Sequence, residues 1–505
     1  LNFITLFLKV NGLEDYCFGK DTERTQTRHF TSKTAYQIVK GTNIEKQYLV
    51  PGCAAQKIWI LHRHGTRLPP KNIIQKSPRL DQLRDEIVKN YRVRKTKPSE
   101  GALCQEDLIA LQMWRWNSSI TPDQENYLTS QGYDDLRGTA KLYQKFYANV
   151  MPREYNSSIY LFRHTDTQRS LESFKAFSEG LFGTNNNAEA EPVPEKDLLL
   201  RPEDYCDEWK ALDYSSPDSE RYKYRNSNLW NSTIADVSTR LGFLYSLVPE
   251  DVELMYDMCR YEQAWQVDRT SVWCSVFLPT HVTVFEYEDD LKYYYKSGYG
   301  NEINERLNCR VVQDMLTHLS SNSLPNSIVN VAHSVGVQTF ITALGLNKDD
   351  IKMTASNYNE LSDRRWKMSS VDPFAANFVA VKYQCDEDAV EKEKAVFFLN
   401  QNAVELDWCQ VGLCNWSDVM KKYEKFYSAN CDEYYCQVGA ASVGVSVSVA
   451  SVLMAALKGI TKKGQYKFSN NHNNKNLWQF NGAYSASASY FCCFLFCSWF
   501  LRFST

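Results

Sequence analysis

The run Arg63-His64-Gly65-Thr66-Arg67-Leu68-Pro69 sets an imidazole between two guanidiniums and closes the loop with a proline. These residue types at this spacing suit a phosphate ester. Arginines make bidentate, charge-assisted bonds to phosphate oxygens while a neutral ring nitrogen attacks phosphorus. Such a phosphomonoesterase needs clamps for the oxygens, a nucleophile and an acid for the leaving group. Arg63 and Arg67 are the expected clamps, and His64 is the expected nucleophile, which would carry a phosphohistidine.

The elements around this loop must deliver it to a ligand. Lys57-Ile58-Trp59-Ile60-Leu61 is apolar and β-prone, so it reads as a buried strand ending at His64. Open α/β sheets hold ligands at such strand ends. Ile328 to Ala332 reads as a strand that ends at His333, and Ser158 to Phe162 as a short strand that ends at Arg163. Phe378 to Tyr383 is a further strand. Leu80 to Tyr91 and Tyr133 to Tyr147 carry helical spacing, and Ser170 to Gly180 reads as a helix whose N-terminus would point donors at an anion. Residues 184 to about 320 are rich in Asp, Glu, Tyr and Trp with broken helical periodicity, which suits a mostly helical lid inserted into an α/β core.

The motif resembles the signature of the histidine acid phosphatases, the branch of the histidine phosphatases that holds phytases, prostatic-type acid phosphatases and the multiple inositol polyphosphate phosphatases. Thr31-Ser32-Lys33-Thr34-Ala35-Tyr36 and Val50-Pro51-Gly52-Cys53 are similar to the last subgroup in particular. Phe162-Arg163-His164-Thr165-Asp166-Thr167-Gln168-Arg169-Ser170, followed by Phe177 and Gly180-Leu181-Phe182-Gly183, is similar to the segment that supplies a third phosphate-binding arginine. That arginine is matched to Arg163. Glu286-Tyr287 through Asp290-Leu291-Lys292-Tyr293-Tyr294 to Gly298-Tyr299-Gly300, and Asp372-Pro373-Phe374-Ala375-Ala376-Asn377, extend the likeness over roughly residues 28 to 436. The resemblance implies a mixed sheet with helices on both faces plus a mostly helical lid. Residues 16–183 and 321–436 would form the discontinuous core, and residues 184–320 the lid. It also implies that His333 hydrogen-bonds the phosphoryl oxygens, that Lys292 binds a substrate phosphate, and that neither cofactor nor metal is used. The implied substrates are small phosphate esters: phytate-like inositol phosphates, with 2,3-bisphosphoglycerate beside them.

One position departs from the pattern. The inositol polyphosphate phosphatases follow the second histidine, after one residue, with a glutamate that protonates the leaving alkoxide. The prostatic type has an aspartate directly after it. Here the string is His333-Ser334-Val335-Gly336. Val335 cannot donate a proton, and the Ser334 hydroxyl alone is a poor acid. Asp349, Asp350 and Asp363 lie downstream with no placement implied by sequence. A catalytically impaired relative that binds phosphorylated ligands without turnover is therefore the alternative reading.

Composition bounds the setting. In 505 residues the net charge is -3, which gives no overall attraction to nucleic acid, so an anionic substrate must be drawn by a local basic cleft. Fifteen cysteines, twelve of them scattered up to Cys436, point to disulfides in an oxidising compartment rather than to zinc. Cys409 and Cys414 are close enough in sequence to bridge each other, as are Cys431 and Cys436. Sequons at Asn117, Asn156, Asn231 and Asn415 agree with passage through the secretory pathway to the cell exterior or surface. Residues 1–15 begin like the remains of a signal peptide. The tail, 437–505, carries the outline of a weak membrane span over Gly439 to Leu457 with lysines after it. Its second apolar stretch, Tyr490 to Leu501, matches the end of a lipid-anchor signal or an artefact of gene prediction. The acid run Glu286, Glu288, Asp289 and Asp290 lacks an oxygen-ligand metal spacing and reads as a solvated face.

Overall fold

The computed structural model describes residues 16–42, 50–386, 389, 391–409 and 412–437. The expectations of a leader over residues 1–15 and of an anchor in the tail fall outside the described residues. Among the described residues no helix is long and apolar enough to cross a membrane.

Seven strands form one mixed sheet: β1 (Cys53–Arg63), β2 (Tyr160–His164), β3 (Ser327–Ala332), β4 (Asn377–Cys385), β5 (Glu393–Leu399), β6 (Asn402–Ala403) and β7 (Leu413–Asn415). The order is β2-β3-β1-β4-β5-β6, with β7 also paired to β5. β3 lies parallel to both β1 and β2, whereas β4 runs antiparallel to β1. A central strand with helices on both faces must be apolar on both faces. In β1, Ile58 and Ile60 enter one core and Trp59 and Leu61 enter the other, all four essentially inaccessible to solvent.

Six helices matter for the site: α1 (Ser130–Phe146), α2 (Gln168–Phe182), α3 (Pro249–Trp265), α4 (Pro279–Ser297), α5 (Cys309–Ser320) and α6 (Ser334–Leu344). α1 and α2 supply Leu136, Tyr143, Phe174 and Phe177 to the core that holds Ile58 and Ile60. α5 and α6 supply Met315, Leu316 and Phe340 to the core that holds Trp59, and Phe340 stacks on Trp59 with ring centroids 5.4 Å apart. The sheet therefore carries helices on both faces, as expected. The stretch between residues 184 and 320 is helical for the greater part from Pro202 onward, and its last helix, α5, is fastened to β1 by Trp59 Nε1 donating to Asp314 Oδ2 at 2.8 Å.

All twelve described cysteines are paired: Cys17–Cys104, Cys53–Cys385, Cys206–Cys436, Cys259–Cys274, Cys309–Cys431 and Cys409–Cys414. The Cys409–Cys414 expectation agrees with this; the Cys431–Cys436 expectation does not. Cys431 opens a short helix packed on α5, which brings it to Cys309, and Cys436 reaches back to Cys206. Asn117, Asn156 and Asn231 are exposed, while Asn415 lies half-buried in β7 with its amide donating to Asp418 at 3.0 Å.

Candidate active site

β1 and β3 end level with each other, Arg63 paired with Ala332, so His64 and His333 leave the sheet side by side. The His64 amide continues the ladder by donating to Ala332 O at 3.0 Å, and the two imidazole centroids lie 5.5 Å apart. His64 Nδ1 is 2.9 Å from Gly65 O. A carbonyl only accepts, so Nδ1 carries the proton and the lone pair sits on Nε2. Burial, followed by the positive charge of Arg169, Arg63 and Arg67, holds the His64 pKa well below its ordinary value. The ring is thus neutral and its Nε2 is able to attack.

Gly65 is required by the approach of α1. A Cβ there would stand 2.3 Å from Gly132 O, and one on Gly132 would stand 2.2 Å from Thr66 O. Two glycines back to back let the loop lie directly on the helix, while Gly65 N donates to Ser173 Oγ at 3.0 Å from α2. His333 is fixed by a chain of partners. Its Nε2 donates to Thr165 Oγ1 at 2.8 Å, Thr165 donates on to Ser170 Oγ, and Arg169 Nη2 donates to His333 Nδ1 at 3.3 Å. Burial, then Arg169 and Arg201, keep His333 neutral as well.

Three guanidiniums converge here. Arg63 Nη1 is anchored by Ser32 O, Asp372 O and Pro373 O at 2.7 to 2.8 Å, and its Nε is buried with no partner among the described residues. Arg67 donates to Leu68 O and lies over the Tyr261 ring at 6.0 Å. The third is Arg169, at the start of α2, and its buried Nε also lacks a partner among the described residues. Burial and then the like charges of Arg67, Arg201 and Arg63 bring Arg169 down to about 10. Cations crowded this closely favour the binding of an anion among them.

Arg163, the expected third clamp, is not among them. It pairs in register with Asn330, as does Leu61, three residues short of His64. At about 3.3 Å per residue that sets it roughly 10 Å back from the nucleophile. Its guanidinium is taken up by Asp314 at 3.0 and 3.1 Å and by Glu191 at 3.0 Å. Six residues further on, the chain has turned into α2 and presents Arg169 instead.

Lys292 does border the site. A cavity of about 410 Å³ is lined by Lys33, Arg67, Arg221, Arg260, Lys292 and Tyr293, among others. Arg67 is the member it shares with the converging arginines. Burial pushes the Tyr293 phenol up, but Lys292 and Lys33 outweigh it and bring it down to about 7. The acid run beside it is not a solvated face. Asp289 accepts from Arg260 at 2.7 Å, Asp290 from Arg364 at 2.8 Å, Glu288 from Arg221 at 2.8 Å, and Glu286 is 3.0 Å from His29 Nδ1. α4 lies between other helices, so even its carboxylates are buried and must be paired.

Val335, in the usual donor position, is half-buried in the first turn of α6. Of the three aspartates noted downstream, Asp349 accepts the Arg365 amide, and Asp350 and Asp363 are exposed. The carboxyl that does reach the site is Asp372. It is fully buried, 3.6 Å from Arg63 Nη1, and bonded to Ser334 Oγ and Gln338 Nε2.

A neutral histidine with a free ring nitrogen, set under converging arginines at the C-terminal end of parallel strands, defines a phosphatase site of the histidine type. A family model described as histidine phosphatase superfamily (branch 2) matches residues 56–399. Multiple inositol polyphosphate phosphatase 1 of Drosophila melanogaster is 62% identical over 447 residues, 88% of this chain and 96% of that protein. The Gallus gallus protein of the same name is 28% identical over 437 residues, covering 81% and 92%. Among solved structures, the phytase from D. castellii aligns with a TM-score of 0.65 at 16% identity over 83% of this chain and 92% of that one. The Bifidobacterium longum multiple inositol polyphosphate phosphatase in complex with inositol hexasulfate aligns at 0.54 and 12% identity, over 79% and 98%. These two structural likenesses show the fold. The chain belongs to branch 2 of the histidine phosphatase superfamily, and it is an enzyme, a phosphoric monoester hydrolase similar to the multiple inositol polyphosphate phosphatases.

Proposed function

We propose that this enzyme hydrolyses inositol polyphosphates of the phytate type through a phosphohistidine at His64, with no cofactor. The observation that carries the reading is the neutral, Nε2-free His64 enclosed by Arg63, Arg67 and Arg169. The three arginines would hold the phosphoryl oxygens while His64 attacks in line with the leaving oxygen, and His333 would turn its single N–H from Thr165 Oγ1 to a further oxygen. Water then hydrolyses the phosphohistidine. The adjoining cavity, where Lys33, Arg67, Arg221, Arg225, Arg260 and Lys292 outnumber Glu253, Asp257, Glu288 and Asp289, supports a polyanionic substrate, because a second phosphate on the same ring would find a net positive charge there. 2,3-Bisphosphoglycerate, a smaller ester with two phosphates, belongs to the same proposal. Six disulfides and three exposed sequons support work in the secretory pathway or outside the cell.

The purified enzyme assayed with inositol hexakisphosphate should release phosphate, and the His64→Ala variant should release none. Hydrolysis of aryl phosphates alone, with inositol hexakisphosphate untouched, would remove the substrate assignment.

A further inference from the structure

With Val335 in the donor position, the proton for the leaving alkoxide must come from elsewhere. We propose that Ser334 delivers it, relayed from the buried carboxyl of Asp372. The inference rests on the phosphohistidine reading above.

Ser334 directly follows His333 and opens α6, so it stands half-buried at the rim of the site. Its Oγ is hydrogen-bonded to Asp372 Oδ2, and Gln338 Nε2 binds both, Asp372 at 2.6 Å and Ser334 at 3.0 Å. Gln338 is one helical turn beyond Ser334, which locks the serine hydroxyl to the carboxyl. Asp372 Oδ1 is buried and has no partner among the described residues. A carboxylate left in that state is costly, and a protonated carboxyl costs less. Burial indeed pushes Asp372 up to about 6, against the pull of Arg63, Ser334, Gln338 and Lys33, which are the groups that face it. Arg63 ties the pair to the phosphoryl site, since the same Nη1 lies 3.6 Å from Asp372 Oδ2 and 2.7 Å from Asp372 O.

In the first step His64 Nε2 forms a bond to phosphorus as the bond from phosphorus to the inositol oxygen breaks. The Ser334 hydroxyl donates to Asp372 Oδ2 while the carboxyl is ionised; with the proton on Oδ2 that bond reverses, so the leaving oxygen takes the Ser334 hydroxyl proton as Ser334 takes the proton from Asp372 Oδ2. The products are the free alcohol, the phosphohistidine and the Asp372 carboxylate. In the second step water attacks phosphorus, the bond to His64 Nε2 breaks, and the water proton returns through Ser334 to Asp372. Ser334 is the catalytic group, and Asp372 acts through it.

The test compares leaving groups. Unaltered, Ser334→Ala and Asp372→Asn enzymes are assayed with 4-nitrophenyl phosphate, glycerol 2-phosphate and inositol hexakisphosphate. Loss of a general acid costs about a hundredfold or more for an alkoxide. Ser334→Ala should therefore lose about that factor on both alkyl esters and much less on the aryl ester, which departs unaided. Asp372→Asn should show the same selectivity. In the unaltered enzyme kcat/KM for glycerol 2-phosphate should decline as pH rises past about 6, where Asp372 gives up its proton, and this limb should vanish in Ser334→Ala. Selective loss on glycerol 2-phosphate supports the relay whether or not inositol hexakisphosphate is a substrate. Inositol hexakisphosphate hydrolysis that survives intact in Ser334→Ala overturns the relay and leaves the proposed function standing. An equal loss on all three substrates also overturns it, since a merely structural role predicts no dependence on the leaving group.

Discussion

Strand β1 ends at Arg63 with His64 the next residue, strand β2 ends in Arg163-His164, and the two Arg-His pairs do different work. At the end of β1 the arginine is fixed by three backbone carbonyls and the histidine keeps a free Nε2 among cations. At the end of β2 the arginine is neutralised by Asp314 and Glu191, and His164 stacks on Phe174 with centroids 5.8 Å apart. Register makes the difference. β1 runs on to meet Ala332, whereas Arg163 stops level with Asn330 and sits beside the carboxylate that α5 provides. A dipeptide at a strand end is a site only where the sheet edge and its neighbours leave the charges unpaired.

Four substitutions sharpen that contrast. His64→Ala should abolish turnover even for aryl phosphates, whose departure needs no acid, because no other group can take the phosphoryl. Arg169→Ala should weaken competitive inhibition by inorganic phosphate by about tenfold to a hundredfold, the worth of about 1.5 to 3 kcal/mol for a charge-assisted bond. Arg163→Ala should leave phosphate inhibition unchanged and instead lower stability to denaturant by about 1 to 2 kcal/mol, as Asp314 loses a partly shielded partner. His164→Ala should do least, removing a half-buried ring stack worth about 0.5 to 1.5 kcal/mol and leaving kcat unaltered. Arg163→Ala and Arg169→Ala showing the reverse pattern would break the comparison.

Much of the frame was legible in the sequence. Continuous apolar runs mark β1, β3 and β4 because each is buried on both faces, and the motif around His64 carries its chemistry in its own residue types. Arg169 lies six residues after Arg163 in the same segment, and two positional facts separate them. The strand begins at Tyr160, because residues 156–159 form a turn around Asn156, and it must be threaded against β3 to show where Arg163 falls. Sequence has no access to that register. The pairing of Asp372 with Ser334 was hidden for a similar reason: thirty-eight positions separate them, and only the turn before β4 brings them together. The acid run on α4 misled because its partners, Arg221, Arg260 and Arg364, come from three other segments. Nothing local to Glu286 through Asp290 reports them.

The central claim is that His64 accepts the phosphoryl group. A phosphohistidine is a phosphoramidate and is lost in acid, so the enzyme should be quenched in base during turnover of labelled substrate and the modified residue mapped by peptide mass spectrometry without exposure to acid. The account predicts label on His64 alone, absent in His64→Ala and retained in Arg163→Ala. Label on His333 with none on His64 would contradict it.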